Sequence, residues 1–193
     1  ELVYDVERNI GNDYKFLDNE SDIPILLNIE DDILYISFRG TDSLSNLITD
    51  IQTSDGTGKD INLSDYKVFN DKLNQQDVNI QMHGGFLKQV ALFYDTLVNA
   101  IESIYNSSLK IILTGHSLGA AISCMFYYIY TCSVQNKDKK IPIFYNINYG
   151  SPRFLIDKNN NAEHFNNRCP NLLRCFNKND IVTYIPFYGN VLG

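Results

Sequence analysis

An apolar strand that runs directly into a glycine-flanked serine constrains this chain more than any other feature. Segment 110–123 reads KIILTGHSLGAAIS, in which strand-like residues meet GHSLG at 115–119 and then small helix-forming residues. A serine in this pattern sits on a sharp strand-to-helix turn, and the glycines on either side let the strand and the helix approach closely. The spacing therefore predicts a strand, a strained turn at Ser117 and a helix, in that order.

This strand, turn and helix are typical of a nucleophile elbow, which holds a serine hydroxyl at the carboxyl end of a sheet. Ala120 and Ala121 keep the first turn of the helix slim, and the free amides of that turn point toward the serine. The competing interpretation is an ordinary turn with a chance serine, but it does not account for the apolar strand 111–113 and the helix-forming run that follows. Ser117 is therefore the candidate nucleophile.

A second apolar strand, ILYISF at 33–38, ends in a turn formed by Arg39, Gly40 and Thr41. Acyl transfer develops negative charge on a carbonyl oxygen, and fixed amide donors aimed at that oxygen stabilise it by several kcal/mol. The amides of Thr41 and Leu118 are the candidates for this oxyanion hole, and Gly40 allows a close backbone approach. Taken alone, the turn is equally compatible with an ordinary surface β-turn. We assign Arg39 to structural ion pairing, because ester hydrolysis needs no fixed cation beside the hole.

A serine nucleophile also needs a carboxylate that orients its base, and in this topology the chain order is serine, acid, histidine. Asp180 fits that order, because it follows the strand-like segment 172–176. A plain turn-forming role for Asp180 is the alternative. Asp138 lies in a charged run and Asp157 lies next to an Asn-rich loop, so both are expected on the surface.

Several of these segments together resemble the class 3 lipases, the fungal-type triacylglycerol lipase branch of the α/β hydrolases. The resemblance spans residues 33–186 and is carried, in the usual order, by FRGT at 38–41, HGGF at 83–86, GHSLG at 115–119, YGSPR at 149–153 and NDIV at 179–182. It implies an α/β-hydrolase fold with a mostly parallel central sheet and helices on both faces. It also implies a serine hydrolase that cleaves carboxylic esters of lipids through an acyl-enzyme. In that family pattern the Thr41 hydroxyl is a further oxyanion donor, and no metal or organic cofactor takes part.

The coarse order of elements agrees with this fold class. Apolar and alternating segments predict strands near 25–29, 33–38, 110–114, 143–149 and 172–176, and helices over about 86–105 and 118–131. Strands and helices that alternate in this way form a mainly parallel sheet. The 193 residues, with 44% hydrophobic content, fit a single domain, which we expect to be truncated at both ends.

The segment 43–51 has the pattern of a short amphipathic helix, with Leu44, Leu47, Ile48 and Ile51 on one face. In lipases of this type such a helix near the oxyanion turn covers the site and opens at an oil surface. The segment is therefore predicted to be either a lid or a surface helix packed on the core.

None of the three histidines, His83, His116 and His164, is suitably placed to act as the base. None of them follows Asp180 in the chain. His116 is adjacent to Ser117, and adjacent side chains on such a turn diverge. His83 matches a structural position of the family, and His164 is expected to be a solvated side chain in an Asn-rich loop.

Two hypotheses account for the missing base. In the family the acid loop continues through a proline to a glycine, an aromatic residue and then the histidine, and VLG at 191–193 resembles the start of that pattern. A histidine is therefore expected a few residues beyond Gly193, and the present chain alone would be inactive. The alternative is a catalytically inactive lipase-like domain that binds lipid or protein.

Composition narrows the range of partners. A formal net charge of −7 disfavours nucleic acid and does not favour anionic membrane surfaces. No run is apolar and long enough for a transmembrane helix, whereas transient contact with a lipid interface is compatible with the sequence.

Cys169 and Cys175 either pair across a loop or remain free thiols, and no Cys or His spacing indicates a zinc site. The sequence indicates no particular localisation.

Overall fold

The computed structural model describes residues 14–41, 60–104, 109–136, 143–155 and 161–185. The predicted lid segment 43–51 lies outside these ranges, as do Asp138 and Asp157. The described residues form an α/β structure around a six-stranded, mostly parallel sheet, as the sequence predicts.

The strands of the described ranges are β1 (Tyr14–Phe16), β2 (Ile25–Glu30), β3 (Ile33–Phe38), β4 (Asp60–Asn62), β5 (Gln81–His83), β6 (Lys110–His116), β7 (Ile143–Tyr149) and β8 (Leu172–Cys175). The main sheet has the order β1-β2-β3-β6-β7-β8, and β4 pairs separately with β5. β1, β2 and β3 are antiparallel neighbours, whereas β3, β6, β7 and β8 run parallel. The carboxyl ends of four parallel strands therefore meet at one edge of the sheet, with β6 near the middle.

The helices are α1 (Lys67–Asn70), α2 (Gln75–Val78), α3 (Gly84–Ile104), α4 (Leu118–Asn136) and α5 (Asn161–Arg168). Short 3-10 turns cover Leu63–Asp65 and Ile181–Tyr184. The two long helices were predicted, but α4 continues five residues beyond the predicted end at 131. Its last turns contain Cys132 and Val134, which are weak helix formers, yet both are buried. Tertiary packing therefore outweighs helix propensity at this end.

The core lies between the sheet and the helices α3 and α4. Burial alternates along β3, so that Leu34, Ile36 and Phe38 face inward. Phe126 of α4 is fully buried, and its ring centroid lies 5.9 Å from that of Phe38 and 6.1 Å from that of Phe93 in α3. This aromatic cluster joins β3, α3 and α4, and each such buried ring stabilises the fold by roughly 1.5–3 kcal/mol.

All four cysteines are free thiols, so the predicted alternative of a bond between Cys169 and Cys175 is not formed. Cys169 is buried at the end of α5, whereas Cys175 lies at the far end of the extended strand β8. A strand advances about 3.3 Å per residue, so β8 carries Cys175 away from Cys169. Within the described ranges, no helix combines the length and the apolar character needed to cross a membrane.

Candidate active site

The predicted elbow is present, with Ser117 at the junction of β6 and α4. Its backbone has φ of +55°, a left-handed conformation that is strained by roughly 1–2 kcal/mol in a residue with a side chain. The turn is fixed from both sides, because the Ser117 amide donates to the Tyr149 carbonyl at 3.0 Å and the Ser117 carbonyl accepts from the Ala120 amide at 3.0 Å. Ser117 is therefore held by the neighbouring strand β7 as well as by the helix that follows it.

Close backbone contacts explain the glycines around this serine. A Cβ at Gly115 would lie 2.4 Å from the carbonyl carbon of Gly119, and a Cβ at Gly119 would lie 2.1 Å from the carbonyl oxygen of Phe38. A Cβ at Gly40 would lie 2.4 Å from the His116 carbonyl oxygen. These positions admit no side chain, since real Cβ atoms do not approach other atoms so closely. The end of β3 thus packs directly against the elbow.

The loop after β3 lies beside Ser117, where the predicted oxyanion hole would have to be. A Cβ at Gly40 would lie 3.5 Å from the Ser117 Cβ. Thr41 follows directly, and its hydroxyl oxygen is buried without a hydrogen bond to any described residue. Leu118 begins α4, where the first backbone amides have no acceptor within the helix. The Arg39 amide donates to the Pro24 carbonyl at 3.0 Å, and the ion pair expected for its side chain stays a prediction.

Asp180 lies at the start of the 3-10 turn that follows β8. Its Oδ1 accepts a hydrogen bond of 3.0 Å from the Val182 amide, and its carbonyl accepts one of 2.8 Å from the Thr183 hydroxyl. The second carboxylate oxygen, Oδ2, faces Gly150, at 2.9 Å from where a Cβ on that glycine would stand. Asp180 therefore forms the turn with one oxygen and presents the other at the carboxyl ends of β7 and β8.

Position 150 requires a glycine, although the sequence analysis did not identify Gly150 as a site residue. Its φ is +56°, and a Cβ there would lie 2.9 Å from Asp180 Oδ2 and 3.5 Å from His116 Nε2. The carboxylate and the imidazole thus flank the same glycine. Within the described part of the chain, no hydrogen bond joins His116 to Asp180 or to Ser117. The predicted divergence of the His116 and Ser117 side chains stays a prediction.

The prediction for His164 is wrong. It lies in α5 rather than in a loop, and its Nε2 is 2.8 Å from Oδ1 of Asp77, a carboxylate with no exposed surface. Arg168 Nη2 lies 3.1 Å from the same oxygen. A buried charge needs such partners. Asp77 is separated from His164 by 87 residues, so no local sequence pattern indicates the pair. His83 ends β5 and is buried, with its ring centroid 4.2 Å from that of Phe86, consistent with a structural position.

A buried polar network lies behind the elbow and was also missed. The Ser123 hydroxyl connects α4 to β7. Its oxygen lies 2.7 Å from Asn148 Oδ1 and 2.9 Å from the Ala120 carbonyl oxygen. Asn148 Nδ2 lies 2.9 Å from the Cys124 sulfur. Burial raises the pKa of the Cys124 thiol to about 12, so it remains protonated and unreactive near neutral pH. The network ties the first turns of α4 to the strand that also holds Ser117.

No group of three or more His, Cys, Asp or Glu side chains in the described ranges is arranged to hold a metal ion. Ser117, the turn of Gly40 and Thr41, and Asp180 all lie at the carboxyl ends of the parallel strands. Their predicted roles as nucleophile, oxyanion turn and acid would supply the parts that acyl transfer needs, apart from the base.

Comparison with known proteins gives a consistent result. The family described as lipase (class 3) matches residues 35–189. No curated protein matches the chain. Among solved structures, the chain is similar to the triacylglyceride lipase of Rhizomucor miehei, with a TM-score of 0.65 and 21% identity over 94% of this chain and 64% of that one.

Two further lipases have similar folds. The Lip2 lipase of Yarrowia lipolytica has a TM-score of 0.65 and 19% identity over 93% of this chain and 63% of that one. The lipase of Rhizopus microsporus var. chinensis has a TM-score of 0.62 and 24% identity over 90% of this chain and 56% of that one. The chain therefore spans between about half and two thirds of the length of these lipases. At these identities the likeness concerns the fold, and the predicted α/β-hydrolase fold is confirmed.

Proposed function

The chain belongs to the class 3 lipase family, and on that premise we propose that it forms the nucleophile-bearing part of a serine hydrolase that cleaves carboxylic esters of lipids. The observation that carries the proposal is the strained backbone of Ser117, φ +55°, held at the end of β6 beside the loop of Gly40 and Thr41. Strain of this kind persists only where the surrounding structure enforces it, and it is frequent at active sites.

The proposed reaction runs through an acyl-enzyme. The Ser117 oxygen attacks the ester carbonyl carbon while a base takes the hydroxyl proton, and the carbonyl oxygen becomes an oxyanion. The amides of Leu118 and Thr41, with the Thr41 hydroxyl, donate to that oxyanion. The base then passes the proton to the leaving alcohol, and water, activated by the same base, hydrolyses the acyl-enzyme to release the carboxylic acid.

Asp180 is proposed to orient the base and to stabilise its cationic form. Its Oδ2 is suited to this role, because Oδ1 already accepts from the Val182 amide and Oδ2 faces Gly150 beside the elbow. The base itself is proposed to be a histidine that follows Asp180 in the chain, since His83 and His164 are engaged in other parts of the fold.

The proposed substrates are lipid esters of the triacylglycerol type, met at a lipid interface. Apolar side chains around the acid loop support this, because Phe176, Ile181 and Tyr184 are 56%, 54% and 44% exposed. Exposed apolar surface of this kind often marks a site of lipid or protein contact. Residues 43–51, predicted to be either a lid or a surface helix packed on the core, lie outside the described ranges.

A lipase-like domain without catalysis is the alternative. What favours it is that no hydrogen bond joins His116 to Ser117 or to Asp180 within the described ranges. The natural transcript beyond the codon for Gly193 distinguishes the two. A histidine codon soon after that point supports the hydrolase, and a stop codon or a long stretch without histidine contradicts it.

Turnover then tests the proposal in the natural protein. Tributyrin hydrolysis, measured by acid release, should fall on the order of 10⁵-fold or more in Ser117→Ala, as expected for removing a serine nucleophile. Ser103→Ala, a change to an exposed serine on α3, is the matched control and should retain full activity. Retained hydrolysis in Ser117→Ala would overturn the assignment.

A further inference from the structure

Two arginines come together at the β8 edge of the sheet. Arg153 lies in the loop after β7, and Arg174 lies in β8, aligned with Asn148 of β7. The Arg174 Nη2 atom donates a hydrogen bond of 2.9 Å to the carbonyl of Ser151, two residues before Arg153. Both guanidinium groups therefore belong to one local structure, formed by the loop 150–153 and the strand beside it.

The loop that carries Asp180 forms one wall of this structure. The Arg153 amide donates a hydrogen bond of 2.8 Å to the Ile185 carbonyl. The guanidinium carbon of Arg153 lies 6.0 Å from the centre of the Tyr184 ring. Tyr184 is 44% exposed, so the ring covers the arginine from one side while leaving an accessible apolar surface next to it. This distance is at the limit for a cation–π contact, which contributes about 0.5–1 kcal/mol at exposed sites.

Neither arginine is paired with a carboxylate within the described ranges. The Nε atoms of both are buried, and neither forms a hydrogen bond with a described residue. Arg168 shows the contrast, since its guanidinium contacts the buried carboxylate of Asp77. The chain has 23 acidic against 16 basic residues, so the lack of an ion pair at these two arginines does not reflect a shortage of carboxylates.

Electrostatics make the missing counter-charge significant. Burial lowers the pKa of the Arg174 guanidinium, and the positive charge of Arg153 lowers it further. Cys124 would oppose this only as a thiolate, and burial raises the pKa of that thiol to about 12. Half-buried like charges are unfavourable unless an opposite charge joins them.

We propose that Arg153 and Arg174 form a binding site for an oxyanion of the phosphate or carboxylate type, using residues separate from those assigned to ester chemistry. Guanidinium groups bind such oxygens in pairs of parallel hydrogen bonds, which is the geometry that favours arginine over lysine at anion sites. The exposed Tyr184 ring would contact the apolar body of a larger ligand that carries the anionic group. The proposal goes beyond ester hydrolysis and does not depend on it.

Calorimetric titration of the natural full-length protein with sodium phosphate, at constant ionic strength and near neutral pH, tests the site directly. We expect saturable binding to the unmodified chain and an affinity about tenfold or more weaker in Arg153→Gln and in Arg174→Gln, as for the loss of charge-assisted hydrogen bonds. Lys15→Gln is the control, because it removes the same charge at the exposed strand β1, on the opposite edge of the sheet. It should bind as the unmodified chain does.

Arg174→Lys keeps the proposal testable if Arg174→Gln does not fold. It retains the charge but loses the planar fork, so it should fold and bind phosphate more weakly than the unmodified chain. Two results would overturn the site. One is the absence of saturable phosphate binding, and the other is equal phosphate affinity of the Arg153→Gln, Arg174→Lys and unmodified chains. Because no ester is turned over in this experiment, its failure is independent of the proposed hydrolase activity.

Vesicles distinguish the source of the anionic group. Phosphatidylglycerol vesicles that bind the unmodified chain, and lose this binding on Arg153→Gln but not on Lys15→Gln, would identify the ligand as a lipid head group. Phosphate binding without vesicle binding would identify a free anion. Vesicle binding that is the same in both variants, together with no phosphate binding, would contradict the site.

Discussion

Gly119, in the first turn of helix α4, packs against the carbonyl of Phe38, the last residue of β3. A Cβ at position 119 would stand 2.1 Å from that oxygen. The contact holds the elbow and the oxyanion turn at a fixed separation. The two parts of the proposed site are therefore positioned by close backbone contacts rather than by flexible side chains.

Gly119→Ala should consequently destabilise the protein by roughly 1–3 kcal/mol, since the added methyl group forces β3 and α4 apart. The measurement is the midpoint and slope of urea unfolding. Ser117→Ala is the control at the same elbow, because it removes atoms instead of adding them, and its stability should be close to that of the unmodified protein. Equal stability of Gly119→Ala and Ser117→Ala would contradict the close packing described.

Thr41→Val should reduce turnover without reducing stability. The Thr41 hydroxyl is buried and has no hydrogen bond within the described ranges, so its loss leaves no partner unsatisfied. Loss of one oxyanion donor lowers kcat by about 10²–10³-fold. The readout is kcat on a soluble ester, with the natural full-length protein, beside thermal unfolding.

Thr114→Val gives the opposite pattern and is the matched control. The Thr114 hydroxyl donates a hydrogen bond of 2.8 Å to the Ile147 carbonyl, which joins β6 to β7. Its removal should lower the free energy of unfolding by about 0.5–1.5 kcal/mol and leave kcat nearly unchanged. A Thr41→Val protein that keeps its kcat would refute the oxyanion role of that hydroxyl.

The network behind the elbow should contribute cooperatively to stability. Asn148→Ala leaves the Ser123 hydroxyl without its 2.7 Å partner, and we expect a loss of roughly 1–3 kcal/mol. Urea unfolding of Asn148→Ala, Ser123→Ala and the double variant forms a cycle, in which residues in direct contact couple by about 0.5–3 kcal/mol. Additive effects within error would show that the two side chains do not act together.

Stability should fall at alkaline pH. Burial raises the pKa of Cys124 from 9.0 to about 12 and that of Tyr127 from 10.0 to about 12, so the folded state holds protons that the unfolded state releases. The stabilisation from these groups is fully present below the unfolded-state values and is lost as pH rises toward about 12. The measurement is the free energy of unfolding across this range. Cys124→Ala should flatten the decline, and an unchanged slope in that variant would contradict the contribution of Cys124.

The sequence predicted the parts of this fold that are encoded locally. Strands 33–38 and 143–149 match in both bounds, and the elbow follows from the glycine spacing around Ser117. These signals are local because alternation and turn chemistry depend on neighbouring residues. The placement of the Gly40 and Thr41 turn beside Ser117 follows from β3 and β6 being adjacent in the sheet, a pairing between distant segments that only the structure shows.

Contacts between distant segments could not be predicted in the same way. His164 was expected on the surface because its Asn-rich surroundings are polar, whereas its partner Asp77 lies in another part of the chain. Asn148 alternates with apolar residues along β7, a pattern usually read as a solvent-facing position, yet it is fully buried because Ser123 and Cys124 satisfy it. Polar residues enter a core when partners are present, and tertiary structure supplies those partners.

The central claim is that Ser117 is an activated nucleophile, and covalent labelling of the natural full-length protein tests it most directly. An alkyl fluorophosphonate reacts with activated serines, and mass spectrometry of the digested protein then locates the adduct. We predict one adduct, on the peptide that contains Ser117, and none in Ser117→Ala or after unfolding. A folded protein that acquires no adduct, or that is labelled at another residue with Ser117 intact, would contradict the account.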